Sequence, residues 1–215
     1  MAPLVKSMSV DETLKKCGAV LYDLEIIAAV PMSHEPRDNR LAYCGGWDDH
    51  AGMGISVLSA YDFVEEAYRI YLADNMSEWQ NLVNSRNIII GFNNKRFDDK
   101  VCLAAGLEIP PQKSWDIWKA IVDTQPPGQR KGFSLDPLLK ANGLEAKSGL
   151  GANAPMQAQL GLWGALINYN LDDTRKEVQI LRLLIAGLLK SPINGEYIKT
   201  KMPWEDIKVD MGGLF

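Results

Sequence analysis

Histidine is nearly missing from this chain: His34 and His50 are the two in 215 residues. That scarcity argues against a histidine-rich zinc site, and a Ser-His-Asp triad would have to use one of two loop histidines. Cysteine is scarce too. Cys17, Cys44 and Cys102 are odd in number and far apart, with no metal-type pairing, so a reducing cytoplasm is the expected home. No apolar run approaches the roughly 18–20 residues of a membrane span, so no membrane partner is expected. The N-terminus lacks the charged-then-apolar layout of a secretory signal. An excess of basic residues is also absent. The net charge of −4 argues against a general nucleic-acid coating protein, although bound cations can supply positive charge where a phosphate sits. Phosphate-loop motifs are lacking as well: Gly149–Ala154 follows no strand, and Lys147-Ser148 has no glycine before the lysine. The 47% apolar and 23% charged residues are those of an ordinary globular protein, and the length suits one well-buried domain without repeats.

Against that background the stretch Val20-Leu21-Tyr22-Asp23-Leu24-Glu25 stands out. It is an apolar run after Gly18 that ends in two carboxylates two residues apart. Alternate residues of a strand share a face, so Asp23 and Glu25 point one way while Leu24 faces the core. Two adjacent acids repel unless a cation lies between them, and hard divalent cations prefer carboxylate oxygens. The plain alternative is a strand running out into solvent at an acidic end.

Two later stretches bear on that choice. Ile88–Ile90 is a second apolar strand that breaks at Gly91, and Asn93, Phe97 and Asp98 follow at fixed intervals. Tyr169 and Asp173 lie four residues apart in a helical pattern, which puts both on one helix face. With Asp-x-Glu, Gly-x-Asn-x-x-x-Phe-Asp and Tyr-x-x-x-Asp in this order, the chain resembles the DEDD superfamily of 3′–5′ exonucleases, in the subgroup whose third motif carries tyrosine. The spacing of the second motif is similar to that in proofreading domains of B-family DNA polymerases.

The resemblance implies an α/β fold of the RNase H-like kind, a mixed sheet flanked by helices. It implies that Asp23, Glu25, Asp98 and Asp173 hold two Mg²⁺ or Mn²⁺ ions and that Tyr169 orients the attacking water. Two such ions about 3.5–4 Å apart can neutralise the phosphate, activate water and stabilise the leaving oxygen. The implied substrate is the 3′ end of DNA, single-stranded, with RNA trimming by the same mechanism as an alternative. A catalytically silent module that binds nucleic acid or protein is the rival from another class. Substrate contacts are expected from Leu24, Ile26, Asn93 and Phe97, with Lys95 and Arg96 on backbone phosphates and Arg175 and Lys176 as further candidates. Leu24, Phe92 and Phe97 are the candidates for stacking on bases, and core packing accounts for all three equally well. Two departures from the family touch this region: Ile26 stands where threonine is usual, and the link after the first motif is long.

The remaining layout is read from periodicity and breakers. Residues 1–17 are expected as a loose lead-in, 28–52 as a long loop or insertion carrying Trp47-Asp-Asp-His50, and 191–215 as a polar C-terminal extension. Strands are expected at Gly18–Glu25, Met53–Ala60, Ala67–Leu72 and Ile88–Phe92. Helices are expected from Ser77, over Phe97–Ala105, over Leu135–Ala141 after Ser134, and over Leu160–Leu189 with a break near Gly164. A short strand or helix carrying Asp116 is expected at Trp115–Val122. Of the neighbouring acids, Asp98 rather than Asp99 and Asp173 rather than Asp172 are expected in the site. Asp99, about 100° further round its helix, is expected to face solvent.

Overall fold

A continuous apolar strand and an alternating one belong in different places in a sheet, and here both kinds occur. The computed structural model describes residues 9–32, 36–126, 130–146 and 151–207. In chain order these form α1 (Val10–Lys16), β1 (Ala19–Ile26), α2 (His50–Met53), β2 (Ile55–Asp62), β3 (Ala67–Tyr71), α3 (Met76–Ser85) and β4 (Ile88–Gly91). There follow α4 (Asp98–Ala104), β5 (Ser114–Asp116), α5 (Ile117–Val122), α6 (Leu135–Ala141), α7 (Ala154–Gln159), α8 (Trp163–Ile185) and α9 (Pro203–Ile207). The strands form one sheet in the order β3-β2-β1-β4-β5. β1, β2 and β3 pair antiparallel, whereas β4 and β5 run parallel to β1. This mixed sheet with flanking helices is the RNase H-like arrangement expected from the motifs.

β4, which lies between β1 and β5, shows what an interior parallel strand requires. Ile88, Ile89 and Ile90 are all fully buried, as a strand covered on both faces requires. On one face Leu21, Ile88 and Ile90 pack with Leu181 and Leu184 of α8 and Leu138 of α6. On the other, Val20, Tyr22 and Ile89 pack with Trp79 of α3 and Val101 of α4. Each such side chain contributes about 1.5–3 kcal/mol by leaving water.

Three regions differ from the expected layout. The lead-in is ordered from Ser9 onward: Ser9 and Glu12 form a capping box, Leu14 is buried, and Arg182 on α8 forms a two-pronged ion pair with Asp11 at 2.8 and 2.7 Å. Residues 1–8 lie outside the described set. The break before α8 falls at Gly161, whose φ of +69° suits glycine, while Gly164 lies inside the helix. The C-terminal stretch is not only polar, because Ile198 and Trp204 join the core and Trp115 Nε1 donates to Asp206 at 3.1 Å. Residues 208–215 lie outside the described set, as do 33–35 with His34 and 147–150 with the lysine-serine pair.

The insertion is closed at its neck. Ala29 and Tyr43 form a parallel bridge, and the Gln159 side chain at the end of α7 ties both sides together. Its amide nitrogen donates to the carbonyls of Ile27 and Ala42, at 2.8 and 3.0 Å, and its oxygen accepts from the Ala42 N–H at 2.7 Å. Among the described residues no helix is long and apolar enough to cross a membrane.

Candidate active site

β1 presents Asp23 and Glu25 on the face covered by α8, and both are half-buried, whereas Leu24 between them is buried on the opposite face. Pairing with β2 shifts register between Glu25 and Ile26, so the strand bends just past the second acid. α8 lies across this end of the sheet with Tyr169, Asn170, Asp173 and Glu177 all buried. One carboxylate oxygen from each of Asp23, Glu25 and Asp173 lies within 4.8 Å of the other two. Three converging carboxylates are a hard donor set, fitting a Mg²⁺- or Mn²⁺-like cation better than a soft one.

Asp98, at the first turn of α4, lines the same cleft and is 7% exposed. It is not one of the three converging oxygens. Burial first, and then the charge of Asp23, hold its carboxyl well above the usual carboxylate range, with Asp99 and Asp116 adding to the effect. The cleft measures about 840 Å³, with Phe92, Asn93, Arg96 and Phe97 along one side and Trp47 and His50 of the insertion at its rim. Trp47 is 59% exposed and meets the Phe97 ring edge-on at 6.2 Å. A second, more apolar cavity of about 400 Å³ opens beside it, sharing Glu25, Trp47 and Phe97 and lined also by Ile26 and Tyr43.

The turn between β4 and α4 is tight for local reasons. A Cβ on Gly91 would lie 2.6 Å from that of Asn94, so only glycine permits the fold-back. Asn93 adopts φ +65°, and its N–H donates to Asp116 Oδ1 at 3.0 Å. The same oxygen caps α5 through the Lys119 N–H at 2.9 Å. Burial raises the Asp116 carboxyl, while these N–H groups act in the opposite direction.

Asp99 does not face solvent. Its carboxylate accepts from Tyr22 Oη at 2.6 Å, Asn94 Nδ2 at 2.9 Å and Ser114 Oγ at 2.7 Å. α4 begins with its first turn over the edge of the sheet, so the 100° step from Asp98 carries Asp99 back toward β1 and β5. Asp172 is half-exposed and pairs with Lys176 one turn along, as an outward position would. The basic candidates are divided. Arg96 lines the cleft and lies over the Trp118 ring at 5.6 Å; Lys95 is exposed and does not line it. Arg175 stacks on Tyr68 at 5.4 Å and Lys176 is buried against Asp172, so both are engaged away from the cleft. Leu24 and Ile26 are largely core residues that expose only an edge to a cavity, and Phe97 is half-buried between the two cavities.

Two residues that sequence reasoning passed over belong to this region. Glu177 lines the cleft one turn beyond Asp173, and its i+4 spacing was the available signal. Asn170 donates from Nδ2 to Asp23 Oδ2 at 2.8 Å. Nothing in its own neighbourhood of sequence marks it, because its partner lies on another element.

No protein-family model matches the chain, and none of the curated proteins is similar to it. Among solved structures it is similar to the family B DNA polymerase from the hyperthermophilic archaeon Pyrobaculum calidifontis, at 16% identity and a TM-score of 0.57. The match takes in 89% of this chain and 27% of the polymerase, so the chain spans about a quarter of that protein's length. At that identity the likeness is one of fold, compatible with the RNase H-like arrangement.

Proposed function

We propose that the chain is a divalent-cation-dependent 3′–5′ exonuclease of the tyrosine subgroup of the DEDD superfamily, acting on single-stranded DNA ends. The observation that carries this is the convergence of Asp23, Glu25 and Asp173 within 4.8 Å, in a cleft that also holds Asp98 and Tyr169. The order and spacing of these residues match the three motifs of that superfamily. The preference for DNA follows the polymerase-like second motif and the polymerase-like fold, an analogy of fold rather than of site.

Asp23, Glu25, Asp173 and Asp98 would hold a pair of Mg²⁺ or Mn²⁺ ions. Such ions, when bound, neutralise phosphate oxygens and lower the pKa of water. The residues of the chain do the rest. Tyr169, one turn before Asp173, lines the cleft with its hydroxyl beside Gly151 and orients the water that attacks phosphorus. A tyrosine hydroxyl serves as an orienting partner rather than as a base. Arg96 meets a backbone phosphate, and the Phe92 and Phe97 rings give unpaired bases a surface to stack on. Hydrolysis adds water across the terminal phosphodiester: the phosphorus–O3′ bond breaks, and a mononucleotide leaves.

End-labelled single-stranded DNA and RNA, incubated with Mg²⁺, Mn²⁺ or a chelator, test the proposal. Metal-dependent release of mononucleotides from the 3′ end of DNA is expected, with closed circles resistant. Cutting of circles would make the protein an endonuclease, preference for RNA would move the substrate, and no degradation of either would leave a binding module.

A further inference from the structure

Taking the carboxylates as metal ligands, as proposed above, we infer that Asn170 is a positioning residue that aims Asp23 at the metal site. Asp23 and Ser59 face each other across the β1–β2 pair. Ser59 Oγ donates to the backbone carbonyl of Asn170 at 3.2 Å, and the Asn170 side chain returns to Asp23 Oδ2 at 2.8 Å. Three residues on two strands and one helix thus close a ring around a single carboxylate. Ser59 and Asn170 are fully buried.

The chemistry fixes which end of the amide does this. An ionised carboxylate only accepts hydrogen bonds, so the Asn170 nitrogen must face it. The other end, Oδ1, is buried without a hydrogen-bond partner among the described residues. A buried side chain that leaves one polar atom unsatisfied while keeping the other on a carboxylate is costly as a packing choice. Aiming a ligand gives that cost a purpose. With one oxygen of Asp23 held by the amide, the carboxylate's rotamer is fixed before the ion arrives. The ring also sets a distance, because Asn170 sits three residues before Asp173 on the same helix. Tying Asn170 to Asp23 therefore fixes how closely Asp173 approaches the two acids of β1.

The test measures metal binding without turnover, by calorimetric titration of the whole chain with Mn²⁺ alone. Asn170→Ala is expected to weaken Mn²⁺ binding about 10–100-fold, the usual effect of losing a residue that orients a metal ligand. Val178→Ala serves as a matched control, since Val178 is a fully buried α8 residue of the hydrophobic core and does not line the cleft. It lowers stability through packing and should leave Mn²⁺ affinity within about twofold of wild type. If Asn170→Ala fails to fold, Asn170→Ser, which is polar but too short to reach Asp23, takes its place. Unchanged affinity in the Asn170 variant overturns the inference. Equal losses in the Asn170 and Val178 variants overturn it too, because affinity would then merely follow helix packing. Absence of Mn²⁺ binding in the wild type would bring down the metal-site proposal itself, a result distinct from either.

Discussion

Replacing Asp99 by alanine should be among the more damaging single changes outside the acid cluster. Three donors from three elements end on this carboxylate, and they do not suffer equally from its loss. The Tyr22 hydroxyl is buried, so losing its acceptor costs about 1–3 kcal/mol of desolvation with nothing in return. Asn94 Nδ2 keeps a second partner in Ser114 Oγ at 3.0 Å, and the Ser114 hydroxyl can rotate. Those two together add about 1 kcal/mol, giving a total near 2–4 kcal/mol. At roughly 2–4 °C per kcal/mol for a chain of this size, the melting temperature should fall by roughly 5–15 °C. Asp99→Asn should cost only about 1 kcal/mol, since the amide oxygen still accepts from Tyr22 and Asn94. Thermal and urea unfolding followed by circular dichroism measure all of this. Adding Tyr22→Phe to Asp99→Ala should recover part of the loss by removing the orphaned hydroxyl. A change within about 0.5 kcal/mol, the range of an ordinary surface substitution, would show that the carboxylate lies in solvent without these three donors.

Three further outcomes are expected. Mn²⁺ or Mg²⁺ at about a hundred times its dissociation constant should stabilise the wild type by about 2.7 kcal/mol, and Asp23→Asn should lose most of that shift; an equal shift in both would place the metal elsewhere. Tyr169→Phe should lower kcat by roughly 10–10³-fold, as for a lost orienting hydrogen bond, with little change in melting temperature; the opposite pattern would make Tyr169 a packing residue. The metal-free protein should also lose stability as pH rises. The raised Asp98 carboxyl binds its proton more tightly in the folded chain than in the unfolded one, so this contribution is full below the ordinary carboxylate pKa and fades above it. In chelator, wild type should therefore fall progressively below Asp98→Asn as pH increases from about 4 to 7, and parallel melting curves would refute the assignment.

How much of this was legible depended on the span over which each signal acts. Asp23 and Glu25 are set by alternation within one strand, and Tyr169 and Asp173 by one helical turn, so sequence alone put each pair on one face. Helix breakers marked α4 and α6 at their ends for the same reason. The docking of α1 carried a local signal in Ser9 and Glu12, but the burial of Leu14 depends on an α8 that lies far along the chain. Asp99 shows the limit most clearly. Helical geometry gave its angle from Asp98 correctly, but which neighbours occupy that angle is decided by Tyr22, 77 residues away, and Ser114, 15 residues away. Asn170 is invisible for the same reason, since its partner is 147 residues distant.

The closed neck of the insertion makes one wall of the second, more apolar cavity an exchangeable part, because Val30, Met32, Pro36 and Leu41 on that wall lie between its two ends. Ala29, Tyr43 and Gln159 hold the two ends of that segment together whatever runs between them. Doubling the length of a loop with fixed ends costs only about 0.6 kcal/mol of closure entropy. Evolution, or a designer, can therefore lengthen, shorten or replace the intervening chain without disturbing the acids on β1. Two proteins sharing this sheet and helix could diverge in what that neighbouring cavity takes up while their chemistry stayed the same.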